Sequence, residues 1–131
     1  MKIERFEDVK AWQAARTLAD MVYKASDDAS FARDFALRNQ IRAAAGSTMH
    51  NIAEGFDAGA DAEFIRFMKY SRRSASEVQS QLYIALDRGY ITQDRFQLIY
   101  DQATSVKKLI NAFIAYLRKS APAQPKDRST Q

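Results

Sequence analysis

Turn-forming residues are scarce in this chain, and that scarcity limits its possible folds more than any other feature. Its 131 residues include only four glycines and two prolines, and both prolines, Pro122 and Pro125, lie in the last ten positions. A chain so poor in turn residues cannot punctuate many short strands; it fits a few long helices.

The apolar residues agree with helices. Val9, Trp12, Ala15, Leu18 and Val22 recur at steps of three and four, which predicts a first helix from about Asp8 to Ala25. Asp8 is its expected cap, with Phe6 packing back on the first turn. The polar stretch Ser26 to Ser30 reads as a connection. Leu37, Ile41, Ala44, Thr48 and Ile52 mark a second helix over about Arg33 to Glu54, with Gly55 as a left-handed residue ending it and Phe56 to Ala60 as the turn. Phe64, Met68, Ser71, Ala75, Val78, Leu82 and Ala85 form a heptad-like seam on a third helix, which starts after Asp61 and runs to about Arg88, with Gly89 as its stop. Thr92 caps a fourth helix, whose seam is Phe96, Ile99, Ala103, Val106, Ile110, Phe113 and Leu117.

Four amphipathic helices joined by short connections bury their stripes by packing antiparallel. The expected fold is therefore all-α, an antiparallel up-down four-helix bundle over residues 1–119, followed by a disordered basic tail over 120–131. One domain of this length holds a hydrophobic core without staples. Tyr83, Leu86, Leu98, Tyr100, Leu109, Ile114 and Tyr116 fall partly outside the seams. They read either as a wide core stripe or as a subunit interface.

With no cysteine, thiolate chemistry and disulfides are excluded. The charged N-terminus does not read as a signal peptide, and no apolar run approaches ~18 residues, so no membrane span is expected. These features make a cytoplasmic protein the expectation. The formal net charge of +4 permits nucleic-acid binding without requiring it.

Few residues point to chemistry. His50 is the single histidine, and Glu54 lies one turn on, too little for the several ligands a bundle metal site uses. Ser47, Asn51 and Glu54 share one face of the second helix, and Ser71, Ser74 and Glu77 one face of the third. Facing each other, they form either a register-setting polar network or a pocket. There is no nucleophile–base–orienter set and no nucleotide-binding or zinc-protease motif, so no enzyme activity and no cofactor are expected. Positive charge clusters on the third helix at Arg66, Lys69, Arg72 and Arg73, and on the second at Arg38 and Arg42. A phosphate backbone compensates such crowding, and so do acids such as Glu63, Asp61 and Asp57. Lys107, Lys108, Arg118, Lys119, Lys126 and Arg128 form a second basic set.

Gln40-Ile41-Arg42-Ala43-Ala44, then Ser47, then Asn51-Ile52-Ala53-Glu54-Gly55 resembles the bacterial family of four-helix-bundle proteins named for the 23S rRNA intervening sequence. The opening Phe6-Glu7-Asp8-Val9 with Trp12-Gln13 is similar too, as are Phe64 to Phe67, Ser74, Glu77, Gln81-Leu82 and Gly89-Tyr90-Ile91; the likeness covers about residues 3 to 118. It implies a homopentamer, and a basic surface like that of the similar accessory protein of diversity-generating retroelements, which binds reverse transcriptase and nucleic acid. It implies no catalytic residues, and a structural role for Asn51, Glu54 and Gly55. Two positions depart from the family: Thr48-Met49-His50 lacks its usual proline, and Arg73 stands where glycine often precedes the serine.

The resulting expectation is a non-enzymatic homo-oligomer that binds RNA or DNA through Arg38, Arg42, Arg66, Lys69, Arg72 and Arg73. The alternative is a protein-interaction module with no nucleic-acid contact.

Overall fold

The computed structural model describes residues 2–120. A short 3-10 turn over Phe6–Asp8 precedes α1 (Lys10–Ser26), α2 (Ala29–Arg33), α3 (Phe35–Asp57), α4 (Asp61–Asp87) and α5 (Gln93–Ser120). The four long helices form an antiparallel up-down bundle. Around its axis α1 packs on α3, α3 on α4, α4 on α5, and α5 back on α1. The connections 58–60 and 88–92 are too short to let consecutive helices do anything but reverse.

The predicted seams make the core. Leu18, Ile41, Ile52, Met68, Val78, Leu82, Ile99, Val106 and Ile110 are each exposed by 1% or less. Every residue of the α3, α4 and α5 seams is buried; on α1 only Trp12 stays half-exposed, with Phe6 set edge-on to it at 5.1 Å. Gly89 takes φ +75 after α4, and the Thr92 hydroxyl accepts from Arg95 N at 3.1 Å, so both expected boundary signals act as read.

Other boundaries differ. Asp8 does not cap α1: its Oδ2 accepts from Glu4 N and Arg5 N, at 3.0 and 3.2 Å, inside the preceding 3-10 turn. Val9 takes the cap position without a side-chain bond. The expected connection, Ser26 to Ser30, is cut short by α2, which begins at Ala29 and whose Phe31 is 1% exposed. The second long helix starts later than Arg33, because Asp34 caps it by accepting from Leu37 N at 3.1 Å.

Gly55 is the largest correction. It is not a left-handed helix end but a buried residue inside α3, which runs on to Asp57; Gly59, at φ +85, makes the turn instead. A Cβ on Gly55 would lie 2.8 Å from Phe64 Cδ1 and 2.9 Å from Phe67 Cβ on α4. This glycine is there to let two helices approach.

At the end of the bundle near α2, the Tyr90 hydroxyl donates to Asp34 Oδ2 at 2.9 Å, and the ring stacks on Phe31 at 5.4 Å. The hydrogen bond to Asp34, with burial and the Asp34 charge behind it, pushes the Tyr90 phenol above its ordinary value. Among the described residues no helix is long and apolar enough to cross a membrane. The expected tail lies outside the described residues from 121 onward, and Lys126 and Arg128 with it.

Candidate nucleic-acid interface

The polar stripes on α3 and α4 do meet. Asn51 Nδ2 donates to the carbonyl and the hydroxyl of Ser47, both at 2.9 Å; Ser74 donates to Ser47 Oγ at 3.0 Å; and buried Ser71 donates to Thr48 O at 2.6 Å. The hydroxyls are thus spent on one another and on backbone carbonyls, as buried polar groups must be. Glu54 and Glu77 are exposed and take no part in these bonds. Ser71 and Ser74 carry the bonds that cross from α4 to α3, whereas those of Asn51 stay within α3. His50 is exposed, and among the described residues no group of three or more His, Asp or Glu side chains is placed to hold a metal.

The six arginines and lysines expected to meet phosphate do not form one surface. Arg42 is drawn into the α1–α3 groove. Its Nε donates to Ser26 Oγ at 2.7 Å, its Nη2 pairs with Asp27 at 2.8 Å, and its guanidinium lies 4.6 Å from the Tyr23 ring centre. Arg38 donates to Ala32 O at 3.1 Å, and its guanidinium lies 4.9 Å from the Phe35 ring centre. Both side chains tie α3 to the segment before it, on the side of the bundle away from the α4–α5 groove. Arg66, on α4, is paired with Glu63 at 2.8 Å and donates to the Tyr70 hydroxyl at 2.9 Å.

Lys69, Arg72 and Arg73 do come together, and α5 adds to them. With Ser76, Lys107 and Asn111 they line an open cleft of about 370 Å³ between α4 and α5. No carboxylate lines it, and none of its four cations has a salt-bridge partner among the described residues. Their hydrogen bonds go to neutral groups. Arg72 Nη1 donates to Asn111 Oδ1 at 2.6 Å, and Lys107 Nζ to Ser76 Oγ at 3.0 Å and Gln79 Oε1 at 2.8 Å. Gln79 is 6% exposed and fixed in turn, donating to Tyr100 O at 3.2 Å and Thr104 Oγ1 at 2.9 Å. The Arg73 guanidinium sits 5.5 Å from the Tyr70 ring centre. These bonds orient Arg72 and Lys107 without neutralising them, and each of the four cations keeps free N–H donors. Four positive charges held together raise the local potential and favour an anion.

Helical spacing finds the α4 part of this cleft. It does not find Ser76 or Asn111, and it leaves Lys107 in a separate basic set, because nothing local joins residues 31 positions apart such as Lys107 and Ser76.

A family model described as the 23S rRNA-intervening sequence protein matches residues 7–112. A crystal structure described as a protein of unknown function from the S23 ribosomal protein family of Bacteroides thetaiotaomicron VPI-5482 aligns with a TM-score of 0.71 at 23% identity. The alignment covers 79% of this chain and 97% of that one, and at this identity it speaks for the fold. No curated protein matches the chain.

Proposed function

This chain belongs to the 23S rRNA-intervening sequence protein family, and we propose that it acts as a non-enzymatic, cytoplasmic homo-oligomer that binds the phosphate backbone of RNA or DNA through its α4–α5 cleft. The observation that supports this reading is that, among the described residues, no carboxylate lies among four converging cations. A merely solvated helix face pairs its charges, as Arg66 does with Glu63. Lys69, Arg72 and Arg73 keep their expected role, and Lys107 joins them. Arg38, Arg42 and Arg66 leave the set, since each is committed to a partner within the fold.

Large apolar side chains left in solvent support self-assembly, for which the family resemblance implies a pentamer. Phe35 is 62% exposed and Leu98 65%. The same residues favour the second reading, a module that docks on another protein.

Replacing Lys69, Arg73 and Lys107 together by Gln is expected to weaken binding to unrelated RNA sequences alike, by about a hundredfold. Arg38→Gln is expected to change affinity less than about twofold, since that side chain lies outside the cleft. Titrations of labelled RNA with each variant, its helix content checked by circular dichroism, measure this. Equal affinity of the triple variant and the parent would remove the cleft from the reading.

A further inference from the structure

We infer that the α4–α5 cleft takes the phosphorylated end of a nucleic-acid strand, a phosphomonoester and the internal phosphates next to it, rather than interior backbone. This rests on the backbone-binding reading and narrows it.

The first reason is length. The α4 residues of the cleft run from Lys69 to Ser76, about 10 Å along the helix axis. Phosphates of a stacked strand rise about 3.4 Å each, so about three fit. The second is charge. Three internal phosphates carry three negative charges against four cations, whereas a terminal phosphate brings about −1.5 to −2 by itself and closes the difference. The third is what lies next along the groove. Past Gln79 α4 presents the exposed Tyr83 ring, which lies 4.9 Å from the ring of buried Phe96 and 6.0 Å from that of half-buried Tyr100. A strand running on would set its phosphates against aromatic carbon. A strand ending beside Lys107 would not, and its last base would have the half-exposed Tyr83 ring to stack on. The fourth is construction. Buried Gln79 holds Lys107 at 2.8 Å, so the ammonium group is set in place before any ligand arrives.

The test uses one single-stranded RNA sequence carrying a 5′-phosphate, a 3′-phosphate, or hydroxyls at both ends, with the full chain and at constant ionic strength. One of the phosphorylated strands is expected to bind at least about tenfold tighter than the hydroxyl strand. That preference is expected to shrink between about pH 7.5 and about pH 5.5, as the phosphomonoester takes up its second proton near pH 6. Gln79→Leu keeps every cleft cation but releases Lys107, and is expected to lower the ratio of phosphorylated-strand to hydroxyl-strand affinity, whereas Arg38→Gln, outside the cleft, leaves that ratio unchanged. Equal, salt-sensitive binding of all three strands would overturn end recognition and leave the backbone reading standing. If none of the three binds, both fall. Competition by adenosine 5′-monophosphate as strong as by the phosphorylated strand would show a free-nucleotide site and overturn the assignment to a strand end.

Discussion

Phe31→Ala is expected to lower the stability of the folded chain by about 3–5 kcal/mol. The five residues of α2 are too few to hold a helix by themselves, so what keeps the segment in place is tertiary packing. Phe31 supplies it. The side chain is 1% exposed and stacks on Tyr90, whose hydroxyl in turn binds the Asp34 cap of α3. Truncation leaves a cavity where these elements meet, and the Tyr90 ring, tied by its hydroxyl to Asp34, cannot collapse into it. Urea unfolding reads the effect as a lower midpoint at an unchanged slope. A loss below about 1 kcal/mol would show that α2 is a loose flap and not a plug in the end of the bundle.

Gly55→Ala and Gly46→Ala are expected to move stability in opposite directions. In an open helix interior, alanine is favoured over glycine by about 1 kcal/mol. Gly46 has room for it: a new Cβ would meet His50 at 3.6 Å, an ordinary contact, so that variant should gain about 0.5–1 kcal/mol. At Gly55 the same methyl would stand 2.8 Å from Phe64 and 2.9 Å from Phe67 Cβ. Phe64 cannot swing clear, since its ring is packed against Phe56 at 6.3 Å and Phe113 at 5.1 Å. The Phe67 Cβ is fixed to the backbone. The two helices must therefore part, at a cost of about 1–3 kcal/mol that outweighs the gain in propensity. Gly55→Val should cost more still. Melting curves for the three variants are sufficient, and a Gly55→Ala protein as stable as its parent would contradict close α3–α4 contact at this point.

These two sites also mark where reading the sequence stops working. The long helices were legible because each carries its own evidence: seven core positions of α5 at steps of three and four need no knowledge of a partner. Phe31 has no such pattern around it, being one apolar side chain in a short polar stretch. Gly55 lies where a helix-ending glycine is expected, and only Phe64 and Phe67, on the next helix, reveal its other purpose. The basic residues divide in the same way. Spacing places Lys69 and Arg73 on one face of α4. It cannot tell that Arg42 turns inward to Ser26 and Asp27, or that Lys107 reaches across from α5. Those facts depend on which helices become neighbours, and the charge pattern of a single helix does not carry them.

Phosphate binding by the four α4–α5 cleft cations, which have no salt-bridge partner among the described residues, should show itself in a salt titration. Labelled single-stranded RNA is titrated with the full chain at a series of salt concentrations, and log affinity is plotted against log salt. Each phosphate neutralised on a single strand contributes about −0.7 to the slope, so the roughly three phosphates that the cleft spans predict a straight line with a slope of about −2. The variant lacking Lys69, Arg73 and Lys107 should fall to about −1. No binding at low salt, or a slope that the triple variant leaves unchanged, would contradict the account.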